Sequence, residues 1–515
     1  ASHSRKIAGD QGEILGILRY GYLQLPLQLA DQPEDPQFWD GFGRLDRTLS
    51  QGHGLRVNLL ASGDRLSFRE DTEEEKEAFR TSYQNQYLWL TDQWLPTSRL
   101  LFESRVSLSL VDTRRDVEVD LEDGSFTVAD DRRLETPALA HDGYLEAGKV
   151  QHMKWGLDLR YLDVDYGYRN ERNLTTPLAA LRAQPAAGET VFDQGFHGSQ
   201  IGAYVSDRLT WSKVSLEAGW RYDENSVTDD EYLSPRLDLS WQLGSVSRLR
   251  VAWGHFYQSQ RLYELEVADG VDQFQPAERA EHRVASLQHR FDTGARRPLT
   301  LRIELYERKV ENPRHRFENL ADPVSKVPEL EPDRVLLEPQ SSRARGVELF
   351  GSGALREVDW FFSYTYSESR DRIDGKWVPR FNDQPHAFAL DLRYRFGKSW
   401  DFNLALQGRS GWPITRIGVE TGVGEDGEPV ALPTLGPLYG ERLGDYLRAD
   451  LQARKRWRLR RGALELEINL INLTNRRNPR GVELDFEIED GEAVVRRTQK
   501  TWQGLLPNLD LSWSF

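Results

Sequence analysis

Apolar and polar residues alternate with a period of two along most of the chain. In LPNLDLSWSF, residues 506–515, Leu509, Leu511, Trp513 and Phe515 share one face, and Asn508, Asp510, Ser512 and Ser514 share the other. In GALELEINLINLTN, Leu464, Leu466, Ile468 and Leu470 alternate with Glu465, Glu467 and Asn469. In HAFALDLRYRFGKSWDFNLALQG, Phe388, Leu390, Leu392, Tyr394 and Phe396 are followed, after a GK turn, by Trp400, Phe402, Leu404 and Leu406. Successive side chains of a strand point to opposite faces, so this period predicts strands with one apolar face, paired as hairpins.

The same unit recurs in RLTWSKVSLEAGWRYD, RLDLSWQLGSVSRLRVAWGHF, VASLQHRFDTGARRPLTLRIELYERKV and GVELFGSGALREVDWFFSYTYSES. Between these hairpins the sequence predicts long polar connections: LEDGSFTVADDRRLETPALAHD, RNERNLTTPLAALRAQPAAGETVFDQ, ENPRHRFENLADPVSKVPELEPDR and residues 412–439. Alternation of short and long connections is the pattern of a transmembrane barrel with short periplasmic turns and long extracellular loops. Counting back from Phe515 gives about twenty strands beginning near Gly12, an even number as single-chain bacterial barrels have. The expected architecture is all-β: a transmembrane antiparallel barrel of about 20–22 strands over residues 12–515. Residues 1–11 are expected to be a periplasmic segment or the remnant of a preceding strand.

Strands of a soluble sandwich, propeller or solenoid alternate too. Two features favour the membrane. The polar faces carry full charges, such as Glu465 with Glu467, Asp391 with Arg393 and Arg302 with Glu304, which suits a wet lumen. Aromatics fall near strand ends, at Trp89, Trp94, Trp211, Trp220, Trp241, Trp400 and Trp513, as in an interfacial girdle.

Composition narrows the field. Of 515 residues only 38% are hydrophobic and 29% are charged, and no stretch reaches the roughly 18 consecutive apolar residues of a spanning helix. The chain nevertheless holds 15 Trp, 19 Tyr and 21 Phe, which favours many strands over disorder. With 67 basic and 82 acidic residues the net charge is -15, unsuited to a phosphate backbone, so no nucleic-acid partner is expected. There is no cysteine for a disulfide framework or thiol chemistry. The N-terminus carries no charged-then-apolar export segment, so an exported protein is expected here in mature or trimmed form.

No HExxH, GxSxG or Walker loop occurs, so neither an enzyme nor a cofactor is expected. His315 has no spaced partner and reads as a loop residue. The acidic runs EDTEEEKE (70–77) and TDDE (228–231) carry carboxylates for calcium but not the spacing of a calcium loop, and read as solvated loops.

Several stretches resemble the barrel domain of TonB-dependent receptors, the ligand-gated importers of the Gram-negative outer membrane. They are Gly219, Arg221, Tyr222 and Asp223 followed by Ser234, Pro235, Arg236 and Trp241; AERAEHRVASLQHRF around Glu278; Gly346, Val347 and Glu348; Pro385 and His386; and Asn472, Leu473, Thr474 and Asn475. They occur in family order over roughly residues 12 to 515. The resemblance implies an outer-membrane location amid lipid and lipopolysaccharide, and uptake of a scarce solute such as a siderophore, cobalamin, an oligosaccharide or a peptide. It implies a barrel-assembly signal at Leu511, Trp513 and Phe515 read by the barrel assembly machinery. It also implies a ligand site at the outward mouth, for which Trp377, Arg380, Trp412 and Arg416 are candidates because aromatic and guanidinium groups stack and bind anions. Interface anchoring and loop packing are the other roles open to these residues.

The family's lumen-filling plug of roughly 150 residues and its first two strands have no counterpart in the sequence, which leaves three alternatives. The chain is a fragment, or a partner chain supplies the missing parts, or the barrel is a plugless relative. A TonB-type energising protein is expected only where a plug exists. The rival to transport is a partner-filled barrel that acts as an envelope scaffold.

Overall fold

A computed structural model of the chain describes residues 2–7, 12–22, 35–71, 75–121, 124–175, 179, 181, 185–294, 297–325, 327–397, 399–424 and 427–514. Its strands, in chain order, are β1 (Ser2–Ile7), β2 (Gly12–Tyr22), β3 (Asp35–Ser50), β4 (His53–Asp71), β5 (Glu75–Thr97), β6 (Leu100–Leu121), β7 (Gly124–Ala147), β8 (Gln151–Leu174), β9 (Ala187–Trp211) and β10 (Val214–Asn225). There follow β11 (Asp230–Leu243), β12 (Ser247–Gln258), β13 (Glu278–Phe291), β14 (Leu299–Glu311), β15 (Arg316–Asn319), β16 (Arg334–Leu337), β17 (Ser341–Leu355), β18 (Val358–Ile373), β19 (Lys376–Pro379) and β20 (His386–Phe396). The last are β21 (Trp400–Arg409), β22 (Pro413–Ile414), β23 (Ile417–Val423), β24 (Pro429–Leu435), β25 (Glu441–Arg442), β26 (Tyr446–Arg458), β27 (Ala463–Ile471), β28 (Pro479–Glu489), β29 (Glu492–Thr501) and β30 (Leu506–Ser514).

One antiparallel sheet of 22 members, β1–β14, β17–β21, β26, β27 and β30, forms the barrel wall. Each wall strand pairs with its neighbour in sequence, and β19 and β20 are successive stretches in one position beside β18. Counted from Gly12 with β19 and β20 as one strand, the wall has the expected twenty, and β1 pairs with β2 beyond them. β30 pairs with β27 from Ala463 opposite Ser514 to Ile471 opposite Leu506. Phe515 and the connection 72–74 within the acidic run lie outside the described residues. A ladder between the first and last wall strands, expected from barrel closure, is not among the described pairings.

The alternation sets which side faces lipid. Leu301, Ile303 and Leu305 of β14 are exposed, while Val310 on the opposite parity is buried beneath the outer loops. On the inner side Arg393 donates to Asp401 at 2.8 Å, and Arg454 Nη2 to Glu467 at 2.7 Å. Fixed ion pairs of this kind make a charged lumen wall affordable next to hydrocarbon only because they face away from it. Trp94, Trp211, Trp220, Trp241 and Trp513 are exposed on the lipid side. Trp89 departs from the expected girdle. It shares its parity with the inward residues and packs against Phe42, their ring centroids 6.2 Å apart.

The extracellular connections also differ from expectation. LEDGSFTVADDRRLETPALAHD is largely strand, the outer part of β7, which runs for 24 residues. Strands β5 to β9 are 22 to 25 residues long. About 9–11 residues cross a membrane, so these hairpins rise far above it. Height on this side comes from strand length: three residues join β4 to β5 and two join β6 to β7, whereas twelve join β8 to β9. Above the membrane the apolar residues change sides, to the inner face at Phe126 and Val128, and polar residues cover the outer face, so this part of β7 reads as loop.

The long connections on the other side fold inward. Leu262, Leu265 and Val267 of the 259–277 connection and Leu330 of the 312–340 connection pack against Val117, Val119, Phe126, Val128, Val164 and Tyr166 on the inner face of β6–β8. A second apolar core joins Leu320, Ala321, Leu337, Ile373, Ile417 and Tyr439, flanked by Val482, Leu484 and Phe486 of β28. The outer loops are thus a packed cap over the mouth.

Candidate functional site at the outer mouth

Beneath this cap lies a cavity of about 790 Å³, walled by Thr81 and Tyr83 of β5, Arg115 of β6, Asp130 and Arg132 of β7, and three loops. Its floor is held by arginines. Arg132 grips Asp130 with two bonds of 2.9 Å and donates to the Tyr263 carbonyl at 2.7 Å, tying the wall to the 259–277 connection. Arg115 reaches Glu329 of the 312–340 connection.

The roof uses the same chemistry. Arg334 makes a bidentate pair with Asp269, at 2.7 and 2.5 Å, and a 3.0 Å bond to Asn319. Arg314 donates to Glu264 at 3.0 Å. Arg316 donates to Asp371 at 2.6 Å and contacts Glu318, which in turn accepts from the Tyr439 hydroxyl. Burial works against the Arg316 charge, but Glu318 and Asp371 outweigh it and hold the guanidinium pKa above its ordinary value. Burial and the neighbouring Asp269 push the Glu266 carboxyl up. Bidentate arginine–carboxylate pairs are directional as well as strong, so they fix loops that have little regular structure.

Arg380 is the exception among these guanidiniums. Its Nε stands 3.5 Å from Asp371 and has no hydrogen-bond acceptor among the described residues. It lines the cavity together with Arg316 and Arg334. Of the four residues singled out in the sequence, only Arg380 reaches this cavity. Trp377 sits opposite Arg372 on the β18–β19 hairpin with the reverse parity, 44% exposed on the outer side. Trp412 packs edge-on against Trp502 at 6.5 Å, with Arg409 over its other side. Arg416 pairs with Glu441 at 3.7 Å and lines a separate cleft of about 260 Å³ beside Leu484 and Arg497. Arg115, Arg132, Arg314, Arg316 and Arg334 escaped sequence reading. Their carriers are far apart along the chain, and the part of β7 that holds Arg132 reads there as loop.

The family motifs have local reasons in the structure. Arg221 and Asp223 form a bidentate inward pair, with bonds of 2.6 to 2.9 Å. Gly346 leaves room for the Tyr366 carbonyl oxygen and the Tyr306 hydroxyl, which a Cβ would approach to 2.5 and 2.7 Å. Asn472 and Asn475 turn the chain out of β27 with φ of 57° and 52°, a left-handed conformation that asparagine tolerates. The Asn472 side chain donates to the Arg476 and Gln503 carbonyls, closing the loop on itself. Among the described residues no group of three or more His, Asp or Glu side chains is placed to hold a metal ion.

A β-barrel wall with lipid outside, ion pairs inside and a loop-built cavity at its outer mouth defines an outer-membrane receptor barrel. The chain belongs to the TonB dependent receptor-like β-barrel family, whose model matches residues 19–473. Among solved structures it is similar to the outer membrane transporter YddB from Escherichia coli, with 10% identity and a TM-score of 0.64 over 99% of this chain and 74% of that one. It is similar to the siderophore receptor PiuA from Acinetobacter baumannii, with 11% identity and a TM-score of 0.65 over 99% and 78%. It is also similar to the ferripyoverdine receptor of Pseudomonas aeruginosa, with 11% identity and a TM-score of 0.62 over 100% and 69%. No curated protein matches the sequence. The protein is therefore an outer-membrane β-barrel of a receptor and transporter family.

Proposed function

We propose that the protein is an uptake receptor that gathers a scarce, oxygen-rich polar solute in the outer-mouth cavity and passes it inward. A plug domain or a partner chain fills the lumen, and a TonB-type protein supplies the energy through it. The observation that carries this reading is the convergence of six arginines, Arg115, Arg132, Arg314, Arg316, Arg334 and Arg380, on one cavity from separate segments. Five of them have hydrogen-bonded carboxylate partners, whereas Arg380 stands 3.5 Å from Asp371 without a hydrogen bond to it and is the least committed of the six. A carboxylate- or catecholate-bearing solute matches that donor fork. Among the structural relatives, PiuA is described as a siderophore receptor and the Pseudomonas protein was captured with ferripyoverdine, which favours a siderophore within this class.

The test is a binding titration of outer-membrane protein against a panel of ferric siderophores, cobalamin, oligosaccharides and peptides, read by intrinsic tryptophan fluorescence. One class should bind, and Arg380→Ala should weaken it by about tenfold, the loss of one charge-assisted bond. If no solute binds, and a foreign chain co-purifies in the lumen, the scaffold reading replaces this one.

A further inference from the structure

The lumen wall carries a row of basic residues that nothing among the described residues neutralises. It runs level across β10–β14 and β17 as Gly219, Arg236, Gly254, His282, Arg308 and Ala344. Two guanidiniums and an imidazole stand in this row, and no carboxylate. Other inward arginines bring their own acids: Arg160 donates to Asp158 at 2.7 and 3.0 Å, Arg221 to Asp223 at 2.6 Å and Arg448 to Asp450 at 2.7 Å. Arg236 has no carboxylate within ion-pair distance among the described residues, because the acid whose field reaches it, Asp223, is held by Arg221. Arg308 has none either, and its Nε is buried without an acceptor.

The Arg236 guanidinium lies over the Phe256 ring, 4.6 Å from its centroid, and that ring meets His282 at 4.5 Å. Gly254 permits this packing, since a Cβ there would stand 3.1 Å from the Arg236 side chain and 3.2 Å from Phe256. A guanidinium spread on an aromatic face keeps its N–H donors for another partner. Beside it the wall opens into a cavity of about 250 Å³, lined also by Arg160, Arg221, Tyr232, Tyr257 and Ser259. Tyr232 and Tyr257 are stacked there with centroids 4.4 Å apart, and the Tyr232 hydroxyl is hydrogen-bonded with Ser259 at 2.7 Å. The inward carboxylates of the lining, Asp158 and Asp223, are both committed, and Glu224 follows the outward parity and accepts from Tyr222. Arg236 is left in surplus. This cavity adjoins the one at the outer mouth, for Ser259 lines the first and its neighbour Gln260 the second.

We propose that the lumen-wall cavity is a second station for the solute, which binds a hydroxycarboxylate group after it leaves the outer mouth, the carboxylate on Arg236 and the hydroxyls beside Tyr232 and Ser259. A guanidinium presents parallel donors to a carboxylate, and the stacked tyrosines offer an apolar face to the carbon skeleton. The inference rests on the uptake reading above, in which the solute descends past the β12 exit.

The test uses protein extracted from outer membranes in detergent, with two probes of the same chain length, gluconate and its uncharged counterpart sorbitol, read by calorimetric titration. Gluconate should bind about tenfold or more tightly than sorbitol, and Arg236→Gln should remove that margin, the factor that one charge-assisted hydrogen bond supplies. In the native protein gluconate, and not sorbitol, should shield Arg236 from phenylglyoxal, read by mass spectrometry of its peptide. That readout needs no variant, so it stands should Arg236→Gln fail to fold by heat-dependent gel mobility. Equal affinity for the two probes, an undiminished margin in Arg236→Gln, or shielding confined to Arg380 and its neighbours at the mouth would overturn the proposal. The two readings fail separately. A solute captured at the mouth while Arg236 stays unshielded by gluconate removes the second station alone, whereas a shielded Arg236 without any solute captured at the mouth removes the uptake route and leaves an anion site in the lumen.

Discussion

Leu466 of β27 stands directly opposite Leu511 of β30, and beside this pair Glu467 stands opposite Asp510 on the inner side. Two hydrocarbon-facing side chains and two lumen-facing acids alternate across one ladder, so a one-residue slip would place carboxylates in lipid. Leu466→Arg or Leu392→Arg should cost about 2–4 kcal/mol, the midplane cost of a cation on a barrel's lipid face. Asn469→Arg and Arg393→Gln should be mild by comparison. Urea unfolding from lipid vesicles, followed by tryptophan fluorescence, measures both. Equal losses on the two faces would reverse the assigned orientation.

The Arg334–Asp269 pair holds two loops together with side chains only 16% and 9% exposed. Removing one partner of a buried pair leaves the other uncompensated, at about 3–5 kcal/mol. Asp269→Ala should therefore speed hydrogen exchange in the 259–277 connection by about two orders of magnitude, the exchange equivalent of about 3 kcal/mol. Wall strands β13 and β14 should keep their protection.

Burial raises the carboxyl pKa of both Glu331 and Asp333 in the 312–340 connection. A folded-state pKa above the unfolded one means the stabilisation is complete below the unfolded value and is lost as pH rises through the folded one. The segment should accordingly be most tightly packed on the acid side of neutrality and loosen on the way up. Burial works against the Lys500 charge, but Asp322 and Glu483 outweigh it and raise its pKa, so its contribution declines in the same direction at higher pH. Exchange of the Leu320 and Ala321 amides, which donate to Asp333, reads the effect after correction for intrinsic chemistry. Glu331→Gln/Asp333→Asn should flatten the profile.

Gly411 sits where β21 enters its outer connection, and a Cβ there would lie 1.8 Å from the Leu443 carbonyl oxygen. The two segments also share the Leu443-to-Trp412 backbone bond of 2.9 Å. Gly411→Ala must push them apart, at about 2 kcal/mol or more for a backbone clash. Trp412 would then leave its contact with Trp502, so near-ultraviolet circular dichroism should change while far-ultraviolet strand signal stays.

Within the membrane the sequence was nearly transparent. The hairpins with turns at 212–213, 356–357 and 397–399 pair as their alternation demands, because lipid on one side and water on the other impose a strict period. Above the membrane that constraint vanishes. The outer half of β7 became strand through pairing with β6 and β8 and through contact with distant loops, its apolar Phe126 and Val128 turned inward where the belt below turns such residues to lipid. The candidate site suffered most from this. Parity on the β18–β19 hairpin sends Trp377 outward and Arg380 inward, a distinction that depends on where the turn falls and not on residue type. The arginines around Arg380 come together only once four connections have folded over the mouth.

The long hairpins β5–β9 make one flank of the barrel a stiff parapet. Most residues along them are held on both sides by a ladder, with residues 187–199 of β9 paired to β8 alone, whereas proteases and many antibodies require a segment that can be peeled away. An agent approaching the living cell from that flank meets a palisade whose tips between β4 and β5 and between β6 and β7 are only three and two residues long. Cleavage of intact cells should therefore nick the chain on the opposite flank, among the connections that follow β12, long before it shortens the parapet.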